Sequence, residues 1–203
     1  MIAILSSNRY FNAGVKAIFQ AIRAEVNFCE PSSLSASPSL FPEIALIIID
    51  IHGLNLNFEE TLTLLGRLAA RHRTARIMLI TNRISQVTVN TLRRYHGDML
   101  VVASRHFFSH AAVRFQGIPD NRSIRTSPLS QNEQSGSTER LTKREIQVLR
   151  HLSKGKCLKK IASVTNLHAK TISHYKCSIM KKYGCASVSD LKTVIEQLGY
   201  HTY

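Results

Sequence analysis

The chain has 203 residues, 44% of them hydrophobic, and 27 Lys and Arg against 13 Asp and Glu give a net charge of +14. That much apolar material excludes wholesale disorder, and the length suits one large domain or two small ones. The charge makes an anionic partner, nucleic acid or an acidic membrane surface, the first expectation.

The excess is unevenly placed. Residues 1–116 carry 12 basic and 7 acidic groups, residues 117–138 carry 2 of each, and residues 139–203 carry 13 and 4. No membrane span is expected, because the longest apolar run, Ile44–Ile49, stops at Asp50 and a spanning helix needs about 20 residues. Met1–Leu5 has no basic n-region and is too short for a signal peptide. Cys29, Cys157, Cys177 and Cys185 are widely spaced, with no Cys-x-x-Cys pair. That usage points to a reduced, cytoplasmic protein.

Strand-like and helix-like stretches alternate at first. Ile2–Leu5 is a short apolar run. Phe11–Ile22 has helical spacing through Phe11, Val15, Ile18, Phe19 and Ile22. Val26–Cys29 reads as a short strand, and Ile44–Ile51 as a central parallel strand apolar on both faces. Glu59–Arg71 is helical, with Leu62, Leu65 and Leu68 inward. Arg76–Ile80 is a strand, Ile84–Tyr95 a helix ended by Gly97, and Met99–Ala103 a fifth strand. This is the pattern of a doubly wound α/β domain with a parallel five-stranded sheet. The Ser/Pro-rich stretch from Pro31 to Pro42 stands where a second helix is expected. That helix is shortened or missing.

Gly117–Arg140 is polar and turn-rich, with Pro119, Pro128 and Gly136. It reads as a flexible linker, with the domains at 1–116 and 139–203 on either side of 117–138. Beyond it, Thr142 and Glu145 form a capping box for a helix over Thr142–Lys154 with Ile146, Leu149 and Leu152 as its stripe. Gly155 suits its end. Leu158–Val164, Ala169–Tyr183 and Val188–Leu198 are three more helices, with turn signals at Asn166, Gly184 and Gly199. Four short helices make a compact all-α domain.

The helix Ala169–Tyr183 has two faces. Ile172, Tyr175, Ile179 and Tyr183 should point inward. Lys170, Ser173, His174, Cys177 and Lys181 lie on another side, flanked by Lys176, Ser178 and Lys182. A short helix, a tight turn and a helix with a small, polar, cationic face make the helix-turn-helix arrangement, whose second helix enters the major groove. Small central side chains permit approach to base edges, and flanking lysines reach phosphates. A solvated lysine-rich surface is the alternative reading of the same pattern.

Leu141-Thr-Lys-Arg-Glu-Ile-Gln-Val-Leu149, then Gly155, Ile161-Ala162, Lys170-Thr171-Ile172, Ile179-Met180 and Lys182 resemble the LuxR-type, NarL/FixJ-like helix-turn-helix domain. Within that family, Thr171-Ile-Ser-x-x-Lys176-x-Ser178-x-Met180 is similar to regulators of the Rcs capsule-synthesis phosphorelay. The resemblance implies that Ser173, His174 and Cys177 face bases, and that Lys170, Thr171, Lys176 and Lys182 lie near phosphates. Ser178, on the flank, and Lys181, on the face itself, join the phosphate set. The resemblance also implies that Val188–Leu198 helps to dimerise the domain. Five positions depart from the family pattern. His168 replaces Ser or Thr at the recognition-helix N-cap, a loss on the order of 1 kcal/mol. Lys160 replaces Glu, Thr165 Leu, Tyr175 an inward His, and Tyr183 the Leu before the glycine.

Asn12-Ala-Gly14-Val15-Lys-Ala-Ile18-Phe19 after the first strand resembles the start of response-regulator receiver domains. Asp50, Thr81 and Gly97 fall where that fold expects them. A working receiver holds Mg²⁺ with an acidic pair after strand one, and hard oxygen ligands are what that ion demands. Here those positions read Ser6 and Ser7 or Asn8, and the expected Lys after strand five is Ser104. Asp50 is thus phosphoacceptor-like but inactive, a strand-end Asp bonding loop amides.

Cys157, His168, His174, Cys177 and Cys185 could be drawn as a metal cluster, but no paired ligand motif accompanies them and no metal is expected. A redox-sensing Cys157 or Cys177 beside lysines is a further reading, set against inert thiols. No Gly-rich phosphate loop, nucleophile elbow or paired carboxylates stand out, so neither an enzyme nor a cofactor is expected. The expected function is a phosphorylation-independent transcription regulator. It would bind double-stranded DNA as a homodimer, or as a heterodimer with a related response regulator, on half-sites about one helical turn apart. RNA polymerase is a further candidate partner, and the location would be cytoplasmic and nucleoid-associated. The competing reading is a protein–protein adaptor with little DNA specificity.

Overall fold

Ile47, Ile48 and Ile49 are fully buried, as a β-branched run apolar on both faces requires of a strand covered on two sides. They form β3 (Leu46–Asp50), the central strand of a five-stranded sheet. The computed structural model describes residues 1–21, 23–31, 44–82, 84–95, 99–108 and 139–200. Residues 32–42 of the Ser/Pro-rich stretch, Gly97 and the expected linker 117–138 lie outside them. The chain divides into two units. One comprises Met1–Leu56, Thr61–Arg83 and Tyr95–Gly136, the other Asn57–Glu60, Ile84–Arg94 and Ser137–Tyr203.

In the first unit, β1 (Ile2–Leu5), β2 (Val26–Phe28), β4 (Arg76–Thr81) and β5 (Met99–Ala103) complete the sheet. All neighbours are parallel, in the order β2-β1-β3-β4-β5. This is a doubly wound sheet whose strand order reverses between β1 and β3. Register places Ile4, Ile48, Met78 and Leu100 in one row across it. Phe11, Val15 and Phe19 of α1 (Arg9–Ala21) pack on that face. The opposite row of Leu5, Ile49 and Leu79 is fully buried. The helix α2 (Phe58–Arg71) buries Leu62, Leu65 and Leu68, the stripe its spacing predicts. Each such side chain contributes roughly 1.5–3 kcal/mol by leaving water. α1 begins two residues earlier than its apolar spacing predicts, because Asn8 Oδ1 accepts the amides of Tyr10 and Phe11 at 3.0 and 3.2 Å.

The second unit holds α3 (Gln86–Arg93), capped by Ser85, and the four expected C-terminal helices. These are α4 (Lys143–Ser153), α5 (Leu158–Thr165), α6 (Ala169–Tyr183) and α7 (Val188–Gln197). The capping box at the start of α4 is complete. Thr142 Oγ1 accepts the Glu145 amide at 3.2 Å, and Glu145 Oε2 accepts the Thr142 amide at 2.7 Å. The buried side of α4 differs from the predicted stripe. Of that stripe only Leu149 is buried; Ile146 and Leu152 are half-buried, while Glu145, Val148, His151 and Ser153 are buried. α4 packs against both α6 and α7, so its covered side is broader than a single stripe. A second capping box, Ser187 with Asp190, starts α7. Gly184 ends α6 in the left-handed region at φ 66°, which a Cβ would strain.

Candidate nucleic-acid interface

Both faces predicted for α6 are present. Ile172 and Ile179 are fully buried, while Tyr175 and Tyr183 are half-buried. Lys170, His174, Cys177 and Lys181 are exposed, with Thr171, Ser173 and Lys176 half-buried beside them. α5 presses Ile161 and Ala162 into the core and ends at Asn166, which is left-handed at φ 53°. The Leu167 amide then closes on Ala162 O at 3.0 Å, turning the chain into α6. The result is a helix-turn-helix with its second helix open to solvent along one side. His168, the N-cap of α6, makes no side-chain capping bond, and neither does Cys157 ahead of α5. The first of these is the deficit expected where Ser or Thr would cap.

No Asp or Glu occurs between Ile146 and Ser189, a span with nine Lys and Arg. The flanking carboxylates, Glu145 and Asp190, are held inside capping boxes. The turn amides and Ser187 hydroxyl that hold Asp190 keep its carboxyl below the ordinary range. The open side of α6 thus carries no carboxylate of its own to repel a phosphate.

Glu145 has a second task that spacing did not reveal. Lys182 Nζ donates to its Oε2 and Oε1 at 2.6 and 2.8 Å and to Arg140 O at 2.9 Å, and Ser178 Oγ donates to Oε1 at 2.7 Å. The Glu145 side chain is 4% exposed and that of Lys182 18%. Burial pushes the Glu145 carboxyl upward, but the bonds from Lys182, the Thr142 amide and Ser178 outweigh it and leave the group below its usual value. Of the residues singled out for phosphate contact, Ser178 and Lys182 therefore turn their polar atoms to α4. Lys170, Lys176 and Lys181 make no such bond among the described residues. Nearby, His151 is buried, with Lys156 Nζ 3.3 Å from its Nδ1. Burial first, and then the charges of Lys156, Arg150 and Lys154, hold its pKa below 6.5. Within the same unit Tyr183 OH lies 3.0 Å from Thr88 Oγ1, and burial pushes the phenol up to about 12.

In the first unit Asp50 is 4% exposed at the end of β3. Its Oδ2 accepts from Ser6 Oγ at 2.8 Å and its Oδ1 from the Gly53 amide at 3.0 Å. Ser6 Oγ in turn accepts the Asn8 amide at 3.0 Å, and Asn8 caps α1. The positions where a receiver carries acids thus form a closed network of neutral groups around one carboxylate. Gly53 lies so close that a Cβ there would collide with Asp50 Oδ2. Among the described residues no three His, Cys, Asp or Glu side chains come together as a metal site. Cys157 and Cys177 are exposed, and burial raises the thiol pKa of Cys29 and Cys185. No helix among the described residues is long and apolar enough to cross a membrane.

Residues 139–195 match the family described as bacterial regulatory proteins, luxR family. In class, this segment matches the LuxR-family helix-turn-helix, over 57 of the chain's 203 residues. In fold, nearly the whole chain is similar to structures of the response regulator RcsB. A structure of two RcsB dimers bound to two parallel DNAs is 16% identical, with 97% of each chain covered and a TM-score of 0.61. A two-component response regulator RcsB–DNA complex is also 16% identical over 97% of each chain, with a TM-score of 0.57. RcsB from Salmonella typhimurium is 17% identical over 96% of this chain and 98% of that one, with a TM-score of 0.55. The fold is therefore a receiver-like sheet domain followed by the helix-turn-helix. No curated protein matches the chain.

Proposed function

We propose that α6 lies in the major groove of duplex DNA, with Ser173, His174 and Cys177 facing bases and Lys170, Thr171, Lys176 and Lys181 reaching phosphates. The observation that carries this reading is the open face of α6 in a stretch free of carboxylates. Ser178 and Lys182 serve the same interface indirectly, by fixing α6 against α4 through Glu145. α7, with Val188 exposed at its start, pairs two copies, or this chain with a related response regulator. Footprinting with the full chain, or a genome-wide occupancy map, tests the reading. Discrete protected sites are expected, and diffuse occupancy would return the chain to an adaptor role.

Regulation does not pass through phosphorylation in this reading. The support is the Asp50 carboxylate, occupied by Ser6 and Gly53 where a receiver needs an open metal site. Incubation with a small phosphodonor and Mg²⁺ should leave the chain unmodified. Stoichiometric label on Asp50 would overturn the proposal.

A further inference from the structure

α3 comes from the middle of the sheet-forming sequence, between β4 and β5, yet it belongs to the unit that holds the helix-turn-helix. Its buried residues include Thr88 and Thr91, which are three apart and so share one side of the helix. Thr91 Oγ1 donates to Val87 O at 2.6 Å and accepts the Leu141 amide at 2.9 Å. Thr88 Oγ1 lies 3.0 Å from Ser85 Oγ, the N-cap hydroxyl of α3, and 3.0 Å from Tyr183 OH. Beside them Asn90 Nδ2 donates to Glu139 O at 3.2 Å. α3 thus holds the helical domain at two places, the residues entering α4 and the last residue of α6. Those two places are also joined by Lys182, which bonds Arg140 O and Glu145. The bonds close a ring from α3 to the start of α4, to the end of α6, and back to α3.

Tyr183 needs its place in that ring. Burial pushes the phenol up to about 12, so it stays an O–H at neutral pH. Such a group costs stability when it is covered and left unbonded. Leucine, which the LuxR-type pattern has here, could not bond Thr88. Lys181, the exposed lysine at this end of α6, lies two residues before Tyr183. Holding Tyr183 therefore holds the turn of backbone that carries Lys181. Lys170 stands at the other end of α6, about 16 Å away along the axis.

We propose that α3 is a positioning element for DNA binding: Thr88, through Tyr183, holds the last turn of α6 where Lys181 meets a phosphate. This rests on the major-groove reading above, and it adds to the binding unit a segment outside residues 139–203. Thr88 and Tyr183 touch no DNA in this scheme and act through Lys181.

The test uses the full chain and a duplex carrying one footprinted site. Thr88→Val and Tyr183→Phe should each weaken binding about threefold, the scale of one modest hydrogen bond. The double variant should lose no more than either. Thr88→Ser, which keeps the hydroxyl, should bind like the wild type. The lysines supply a readout that lost stability alone would not move. With Lys181→Ala already present, Tyr183→Phe should cost nothing further. With Lys170→Ala present it should still cost about threefold, as independent sites do. Unchanged affinity in Thr88→Val and Tyr183→Phe, or an equal further loss in both lysine backgrounds, would overturn the positioning role and leave the major-groove reading standing. If the wild-type chain binds no duplex at all, that reading falls and this inference falls with it.

Discussion

Lys182 Nζ lies 2.6 and 2.8 Å from the two carboxylate oxygens of Glu145, joining the last turn of α6 to the first turn of α4. The same carboxylate accepts the Thr142 amide that starts α4. One buried anion thus closes a helix cap and holds the helix assigned to DNA. Glu145→Ala should lower stability by about 2 kcal/mol, because it leaves an ammonium, a hydroxyl and an amide without their acceptor. Urea unfolding of the full chain measures it, and Glu145→Gln, which can still cap, should lose less.

The lysines divide by what they touch. Lys170→Ala and Lys181→Ala should weaken binding to every duplex and reduce the slope of log affinity against log salt by about 0.9 each, as loss of one phosphate contact requires. Lys182→Met should reduce stability and leave that slope unchanged. Salt titrations on one specific and one random duplex separate the outcomes, and a flattened slope for Lys182→Met would place that residue on a phosphate.

Acid should weaken the helical domain in two stages. The folded pKa of His151 lies below its ordinary 6.5, chiefly through burial, so the unfolded chain takes up the proton first. Stability is therefore full above pH 6.5 and falls as the pH drops through the lower folded value. His151→Gln should abolish this stage. Glu145, depressed below 4.5, adds a loss of the same sign at more acidic pH, as it gives up its charge. Unfolding midpoints between neutral and acidic pH, with and without the substitution, check both stages.

Gly53→Ala should destabilise the sheet domain by about 2 kcal/mol, since overpacking displaces Asp50 Oδ2 and Ser6 Oγ. Ser6→Ala removes one hydrogen bond and should cost about 1 kcal/mol. The ordering of the two losses in urea is the check, because a spacious site would reverse it.

Much of this architecture was legible because its signals are local. The isoleucines of β3, the Thr142–Glu145 box and the two faces of α6 each declare themselves within a few residues. What was not legible depends on partners distant in the chain. Ser6 meets Asp50 across 44 residues, and Lys182 meets Glu145 across 37. No periodicity encodes either pair. The burial of Val148 and His151 in place of Ile146 and Leu152 likewise follows from two helices converging on α4. The caps of α1 and α3, Asn8 and Ser85, were local signals of a recognisable kind that apolar spacing alone passed over.

The stretch from Ile146 to Ser189 has a cost that appears when no nucleic acid is present. Nine like charges crowd this stretch; among the described residues Arg150 pairs with Glu59 and Lys182 with Glu145, and the other seven repel one another. Added electrolyte screens that repulsion and should raise the unfolding midpoint of the free protein. The same electrolyte competes for the phosphates and should weaken the complex. The ionic strength at which the isolated chain is most comfortable is therefore one at which its affinity for a polyanion is largely hidden.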